Sequence, residues 1–424
     1  MIKANILWKR LGKECIRTVL ILIAGILAGF LALCLVHLLP VERMHQNVLE
    51  AKDAINAHAQ TIPGYVSTSI DNYTDTIMLN EAICSVDVPL IERVIYNYQV
   101  NYFRQYDQQE NLLRYLNGEE GYGYQGYTHY WGGHQVVLKL LLLVFDYADI
   151  LMINLMLQTM LAVFIVVGLY KTKRNYVILP FLVAILTIMP MTIGVCLQFC
   201  DIYYILLIGS AYIVWKMDKI KTEKMYLVFL ILGMCTSYFD FLTYPLLSLG
   251  IPLVIALAYI DFDGINKKVL YPIVYSITWG VGYLGMWAGK WLLGSILLPE
   301  AGSLSEALHS ISYRGSNRAG GKIITLFDVL LKNLYVYLKW PTIILMGAVF
   351  IYFIFLIIKR KRINKNNMAV CLPYFMICLY PLGWYLIAKN HSYEHAFMAY
   401  RELAIATFAG LCLLSRMADK RKES

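Results

Sequence analysis

Twenty-two residues from Thr18 to Leu39 contain no Asp, Glu, Lys or Arg. A helix rises about 1.5 Å per residue, so a run of this length reaches across the roughly 30 Å hydrocarbon core of a bilayer. Comparable apolar runs recur along the chain. Inside lipid every backbone N–H and C=O must find a partner within the protein, which leaves helices or a closed barrel. The runs are continuous rather than alternating, so helices are expected. The composition agrees: 59% of residues are hydrophobic and 15% charged, against about half and a quarter in soluble domains. The fold class is an all-α polytopic membrane protein.

Ten spans are expected, over about 17–39, 149–170, 176–191, 203–215, 225–242, 245–260, 269–298, 334–358, 368–388 and 399–414. Short basic blocks separate them: Lys9 to Lys13, Lys171 to Arg174, Lys216 to Lys224, Lys359 to Lys365 and Arg416 to Lys422. These blocks fall on one side if both termini are cytoplasmic, as the positive-inside rule requires. They account for the net charge of +9 as topology and lipid contact, and exclude nucleic acid as the expected partner. The start of the chain is basic and then apolar, like a signal peptide. The apolar run is too long and no small-residue cleavage site follows, so an uncleaved signal-anchor is expected. Nine cysteines show no disulfide framework and no CxxC spacing.

The chain therefore divides into a cytoplasmic N-terminus (1–16), a first transmembrane helix (17–39), a large extracytoplasmic loop (40–135), a multi-helix transmembrane domain (136–416) and a cytoplasmic tail (417–424). Val41 to Gln135 holds twelve acids against five bases, which fits an outer location. Val41 to Ala59 reads as an exposed helix, Pro63 and Gly64 as its break, Asp71 to Tyr106 as helical, and Gly118 to Gly133 as irregular. Gln135 to Asp149 reads as an apolar helix lying in the interface. All eight histidines, His37, His45, His58, His129, His134, His309, His391 and His395, fall on the outer side of this topology. The working surface is expected to face outward.

Polar groups at a span end are costly and mark candidate sites. Asp71 and Asp75 lie one turn apart on a helix face. They read either as a cap with a solvated acidic helix end, or as a general base or divalent-cation site. Asp240 stands between aromatics before Pro245, as a cap or a pocket acid. Arg314, Arg318 and Lys322 recur at four-residue intervals in a Ser- and Gly-bearing loop, as a phosphate site or as cations reaching toward headgroups. His391-Ser-Tyr-Glu-His395 matches the HxxEH zinc-peptidase pattern. A catalytic zinc needs a third protein ligand, and Glu402 is a weak candidate. The two histidines read better as pocket residues beside Arg401, hydrogen-bonding an anionic or hydroxyl-rich ligand.

The segments DNYTDTIMLNEA, HYWGGHQ, SYFDFLTYPLLSLGIPL and NHSYEHAFMAYR resemble a group of bacterial multi-pass proteins associated with cell-surface polysaccharide synthesis. They are similar to the GT-C-type glycosyltransferase superfamily. The resemblance implies a GT-C-like fold and an enzyme of the bacterial plasma membrane. It implies transfer of a sugar from a polyprenyl-phosphate-linked donor to a glycan or lipid acceptor on the outer face. Asp71 or Asp75 would be the catalytic carboxylate of the first outer loop. Arg314, Arg318 or Arg401 would steady the leaving phosphate. Tyr130 and Trp131 would stack on sugar faces, with His134, Asp240, His391 and His395 completing the substrate site. A divalent cation is the one cofactor the acids would admit. The chain departs from the family in lacking a carboxylate pair directly after Leu39, where Glu42 is the near acid. Two other functions are open at this point: a transporter or flippase for lipid-linked oligosaccharide, and a non-catalytic envelope assembly component. Charged candidates gather at outer span ends, with Lys290 within the seventh span as the main exception. A flippase would place such groups at the midplane.

Overall fold

A computed structural model describes residues 2–55, 59–104, 106–260, 265–299, 312–359 and 365–418. His58, His309 and most of the tail lie outside these residues. The described residues are mostly helical. Helix α1 is Ile2–Val36, followed by α2 (Glu42–Glu50), α3 (Lys52–Ile55), α4 (Asn72–Ile83), α5 (Leu90–Tyr96) and α6 (Gln108–Leu116). Then come α7 (His134–Leu142), α8 (Tyr147–Lys171), α9 (Asn175–Thr187), α10 (Pro190–Gly194), α11 (Leu197–Lys216), α12 (Met225–Phe239), α13 (Leu247–Leu257) and α14 (Ile265–Leu297). The last group is α15 (Leu326–Tyr337), α16 (Trp340–Lys359), α17 (Lys365–Cys378), α18 (Tyr380–Ile387), α19 (Lys389–Glu394), α20 (Ala396–Ala399) and α21 (Leu403–Ala418).

Among the described residues, six helices are long and apolar enough to cross a membrane: Gly12–Val36, Tyr147–Lys171, Leu197–Lys216, Asn266–Leu297, Trp340–Lys359 and Ala396–Ala418. The four other expected spans are helical but shorter, at α9, α12, α13 and the broken pair α17–α18. Contacts at the helix ends show alternating directions. Tyr226, opening α12, bonds Glu14 in α1; Thr172, closing α8, meets Tyr259 past α13; Ser415 in α21 bonds the Tyr176 carbonyl in α9. At the other end, Tyr400 before α21 bonds the Ser67 carbonyl and Gly133 bonds the Tyr238 carbonyl of α12.

Several boundaries differ from the sequence reading, each for a local reason. α11 starts six residues before the expected Tyr203. The eighth span does not begin at Leu334: α15 is a separate helix with a Thr325–Asp328 capping box, ending before Trp340 and Pro341. Proline suits the first turn of a new helix because its missing N–H is not needed there. α1 runs unbroken through residue 17.

The segment between α1 and α8 is a folded layer on the bundle end. α2 is not exposed all round: Met44, Asn47 and Val48 are buried, and Asn47 donates to the Leu142 carbonyl at 2.8 Å. The expected helix over Asp71 to Tyr106 stops at Ile83, resumes as α5, and gives way at Asn97, which is left-handed with φ 48°. Strand β1 (Tyr98–Asn101) then pairs antiparallel with β2 (Gly123–Gly126), inside the stretch expected to be irregular. β-Branched and aromatic residues favour a pleated surface, and Tyr98 and Val100 supply that here. One core runs from Met44 and Val48 through Leu79 and Ile83 to Leu138, Leu142, Tyr147 and Leu197. It joins the layer to the tops of α8 and α11. A second hairpin, β3 (Arg318–Ala319) with β4 (Lys322–Ile323), turns at Gly320 and Gly321, both at positive φ.

Candidate functional site

The two aspartates of α4 have different surroundings. Asp75 is 1% exposed. Its carboxylate accepts from the backbone N–H of Leu197 at 2.8 Å, that of Gln198 at 2.9 Å and the Tyr147 hydroxyl at 3.1 Å. The Cys196 thiol lies 3.5 Å away. The first N–H groups of a helix lack intrahelical partners and carry positive partial charge, so Asp75 caps α11 from another element. Burial pushes the carboxyl up to about 7, and the two amides pull against that shift. Asp71 is part-exposed and caps its own helix, accepting the Thr74 N–H at 3.2 Å and hydroxyl at 3.0 Å. Burial raises it above the usual carboxylate range, against the pull of Thr74 and of His395.

Asp240 builds the next wall. It is buried and accepts the Thr243 N–H at 3.0 Å and the Thr243 hydroxyl at 2.6 Å. Between them the chain takes a left-handed turn at Leu242, φ 65°. That conformation costs a non-glycine residue about 1–2 kcal/mol, so it persists only where its surroundings hold it. The turn presents the Leu242 carbonyl to His391 Nε2 at 2.6 Å. A carbonyl only accepts, so Nε2 carries the proton. Burial lowers His391 to about 3, so the ring is neutral and Nδ1 is an acceptor. His395 packs against it with the rings tilted by 37° and centroids 4.6 Å apart. Burial also lowers His395, and the Asp71 carboxylate works the other way.

Arg314 closes the group. Its Nη2 donates to the Tyr130 hydroxyl at 2.7 Å, and its charge acts on His391 and His395. Tyr130 packs edge-on to Phe241 at 5.1 Å and beside Tyr127 at 5.9 Å. Burial raises the Tyr130 phenol, and Arg314 opposes the shift. Asp71, Tyr130, Arg314, His391 and His395 thus share one neighbourhood, with the Asp240 turn beneath them. Tyr283 of α14 lies within reach of the Asp240 and Arg314 charges. A tyrosine in an apolar span carries no sequence signal for this position. Tyr127, three residues before Tyr130, joins the group through its ring without a motif of its own.

Other expected site residues lie apart. Trp131 is 4% exposed, donates to the Met286 carbonyl at 2.8 Å and packs on Tyr238. His134 is buried and bonds Glu81 at 3.2 Å, with Gln135 on the same carboxylate oxygen. Arg318 is exposed on its hairpin, and its carbonyl accepts from Asn390. Arg401 is 0% exposed, bonds the Ile188 carbonyl at 3.0 Å and sits 4.3 Å over the Phe199 ring. Glu402 accepts the Leu246 N–H at 3.1 Å. Among the described residues no group of three His, Cys, Asp or Glu side chains is placed to hold a metal ion.

The cluster combines an acid shifted toward neutrality, a neutral imidazole acceptor, a guanidinium and two aromatic faces. That set suits proton abstraction beside an anionic leaving group. Compared with known protein families, curated proteins and solved structures, the chain finds no match.

Proposed function

We propose that this chain is a GT-C-like membrane glycosyltransferase that takes a sugar from a polyprenyl-phosphate-linked donor at the outer face of a bacterial plasma membrane. Both termini are cytoplasmic in this reading, which places the layer between α1 and α8 outside. Asp71 accepts the proton of the acceptor hydroxyl. The freed oxygen attacks the anomeric carbon while the bond to the carrier phosphate breaks, and the electron pair leaves with the phosphate. Arg314 steadies that phosphate. His391 Nδ1 and His395 hydrogen-bond sugar hydroxyls, and Tyr130 and Tyr127 offer ring faces. Asp71 is preferred over Asp75 as the base because it is part-exposed and accepts only within its own helix end, whereas Asp75 is buried and accepts from Leu197, Gln198 and Tyr147.

The observation that carries the reading is a chain of neighbours from distant segments: the Asp71 charge acts on His395, the Arg314 charge acts on His395, and Arg314 bonds Tyr130. The test is purified protein in nanodiscs with a panel of polyprenyl-phosphate sugars, following donor consumption. Removing a general base lowers turnover by about 10²- to 10⁴-fold, so Asp71→Asn should fall in that range. Consumption of none of the donors, or wild-type turnover by Asp71→Asn, rejects the assignment.

A further inference from the structure

Where α1, α5 and α14 meet, the buried charges do not balance. Glu81 is the carboxylate whose charge reaches both Lys139 and Lys290, and Arg93 adds a third cation beside Lys139. Among the described residues no ion pair within 4.0 Å involves Arg93, Lys139 or Lys290. Lys139 and Arg93 turn to carbonyls instead: Ala82 at 2.7 Å, and His37 and Val88 at 3.2 and 3.3 Å. The ammonium of Lys290 is buried with no partner. One Glu81 oxygen is held by His134 and Gln135, and the other is unpartnered. A buried cation without a counter-charge is costly.

Lys290 lines a small cavity with Phe30 and Leu33 of α1, Val94 of α5, Leu293 of α14 and Trp131. The Trp131 N–H is already given to Met286, so the ammonium is the polar group left to face a ligand. The outer wall is α1, whose far side exposes Leu27, Leu31 and Leu35. Lys290 is seven residues from the end of α14 at Leu297, about 10 Å at 1.5 Å per residue. Measured from the basic start of the helix, Lys290 is 22 residues past Lys268, about 33 Å, so with Lys268 at one face of a roughly 30 Å hydrocarbon core the ammonium comes near headgroup level on the layer's side.

We propose that this cavity binds the phosphate of an anionic membrane phospholipid, with Lys290 as its charge partner and the acyl chains lying along α1. A soluble anion would leave its water shell to gain one donor between hydrocarbon walls. A lipid phosphate already sits at this depth, with its tails against the same wall. The site is separate from the Asp71 cluster and does not rest on the transferase reading.

The test is native mass spectrometry of the full chain released from phosphatidylcholine nanodiscs containing phosphatidylglycerol, with no enzyme assay. Wild type should retain phosphatidylglycerol over phosphatidylcholine. Lys290→Met should lose that adduct about tenfold, the equivalent of one charge-assisted hydrogen bond, and Lys290→Arg should keep it. A thermal scan shows whether each variant is folded. Equal retention by a folded Lys290→Met, or no preference between the two lipids, overturns the proposal. Binding of inorganic phosphate by lipid-free detergent-solubilised wild type, lost in Lys290→Met, overturns the lipid assignment in favour of a free-anion site.

Discussion

The Asp75 carboxylate accepts the backbone N–H of Leu197 at 2.8 Å, across 122 residues. This contact decides where α11 starts and fastens α4 to the bundle. Asp75→Ala leaves two helix N–H groups and the Tyr147 hydroxyl without an acceptor in a buried place. Each such buried group costs about 1–3 kcal/mol. Asp75→Ala should therefore unfold at a clearly lower temperature in detergent, with Asp75→Asn between it and wild type. Unchanged midpoints for both would remove the capping role.

The same carboxyl sets a pH dependence. Its folded value is raised to about 7 from an ordinary 3.8. Between those values the folded chain holds a proton that the unfolded chain has released, so stability falls as pH rises through this window. The difference in unfolding midpoint between wild type and Asp75→Asn should change between pH 4 and pH 7 and level off above it. A pH-independent difference contradicts a raised value.

The apolar runs were legible because a hydrocarbon environment demands them: six fall, among the described residues, on helices long and apolar enough to cross a membrane, and the other four on shorter or broken helices. What failed depended on distant partners. Gln198 and Asp201 make the start of α11 look too polar for a span, and its cap lies in another domain. The strand at Tyr98 is invisible without its partner at Gly126. At the site, Asp71 and Arg314 stood out as ionisable groups in outer loops, and His391 and His395 as ionisable groups at a span end. Nothing local separates Asp71 from Asp75, or Arg314 from Arg401; the difference is which one the surrounding helices bury.

Arg401 illustrates that difference. Its guanidinium lies 4.3 Å from the Phe199 ring centroid and 4.9 Å from that of Tyr400, and it donates to Ile188. A planar fork can stack and donate together, whereas an ammonium cannot. Arg401→Lys should lower the unfolding midpoint nearly as much as Arg401→Met, with donor KM unchanged in whatever protein remains folded. A stable Arg401→Lys with a raised donor KM would return Arg401 to the substrate site.

α12 and α14 pack backbone to backbone. A Cβ added at Gly233 would overlap the Trp279 carbonyl oxygen, and one at Gly282 the Leu230 carbonyl oxygen. Small residues allow such approach between helices in lipid. Gly233→Ala or Gly282→Ala should destabilise by about 1–3 kcal/mol, the cost of overpacking. Gly280 has nothing within 4 Å of an added Cβ, so Gly280→Ala should match or slightly exceed wild type in a thermal scan, since alanine favours helix. Equal effects at all three positions would mean the helices do not touch there.

The pH profile of transfer tests the cluster as a unit. Burial raises Asp71 above the ordinary carboxylate range, and Thr74 and His395 oppose it. A base must be ionised to accept a proton, so kcat/KM should rise with pH through an apparent value above 3.8. Burial lowers His395, while Asp71 helps it keep its proton. Replacing His395 with Gln removes a cation-capable neighbour, so the acid limb should move to higher pH. Arg314→Met should raise the donor KM and move that limb less than His395→Gln does, because the Arg314 charge acts on the histidines and on Tyr130. An acid limb that His395→Gln leaves in place would separate Asp71 from the histidine and dissolve the cluster.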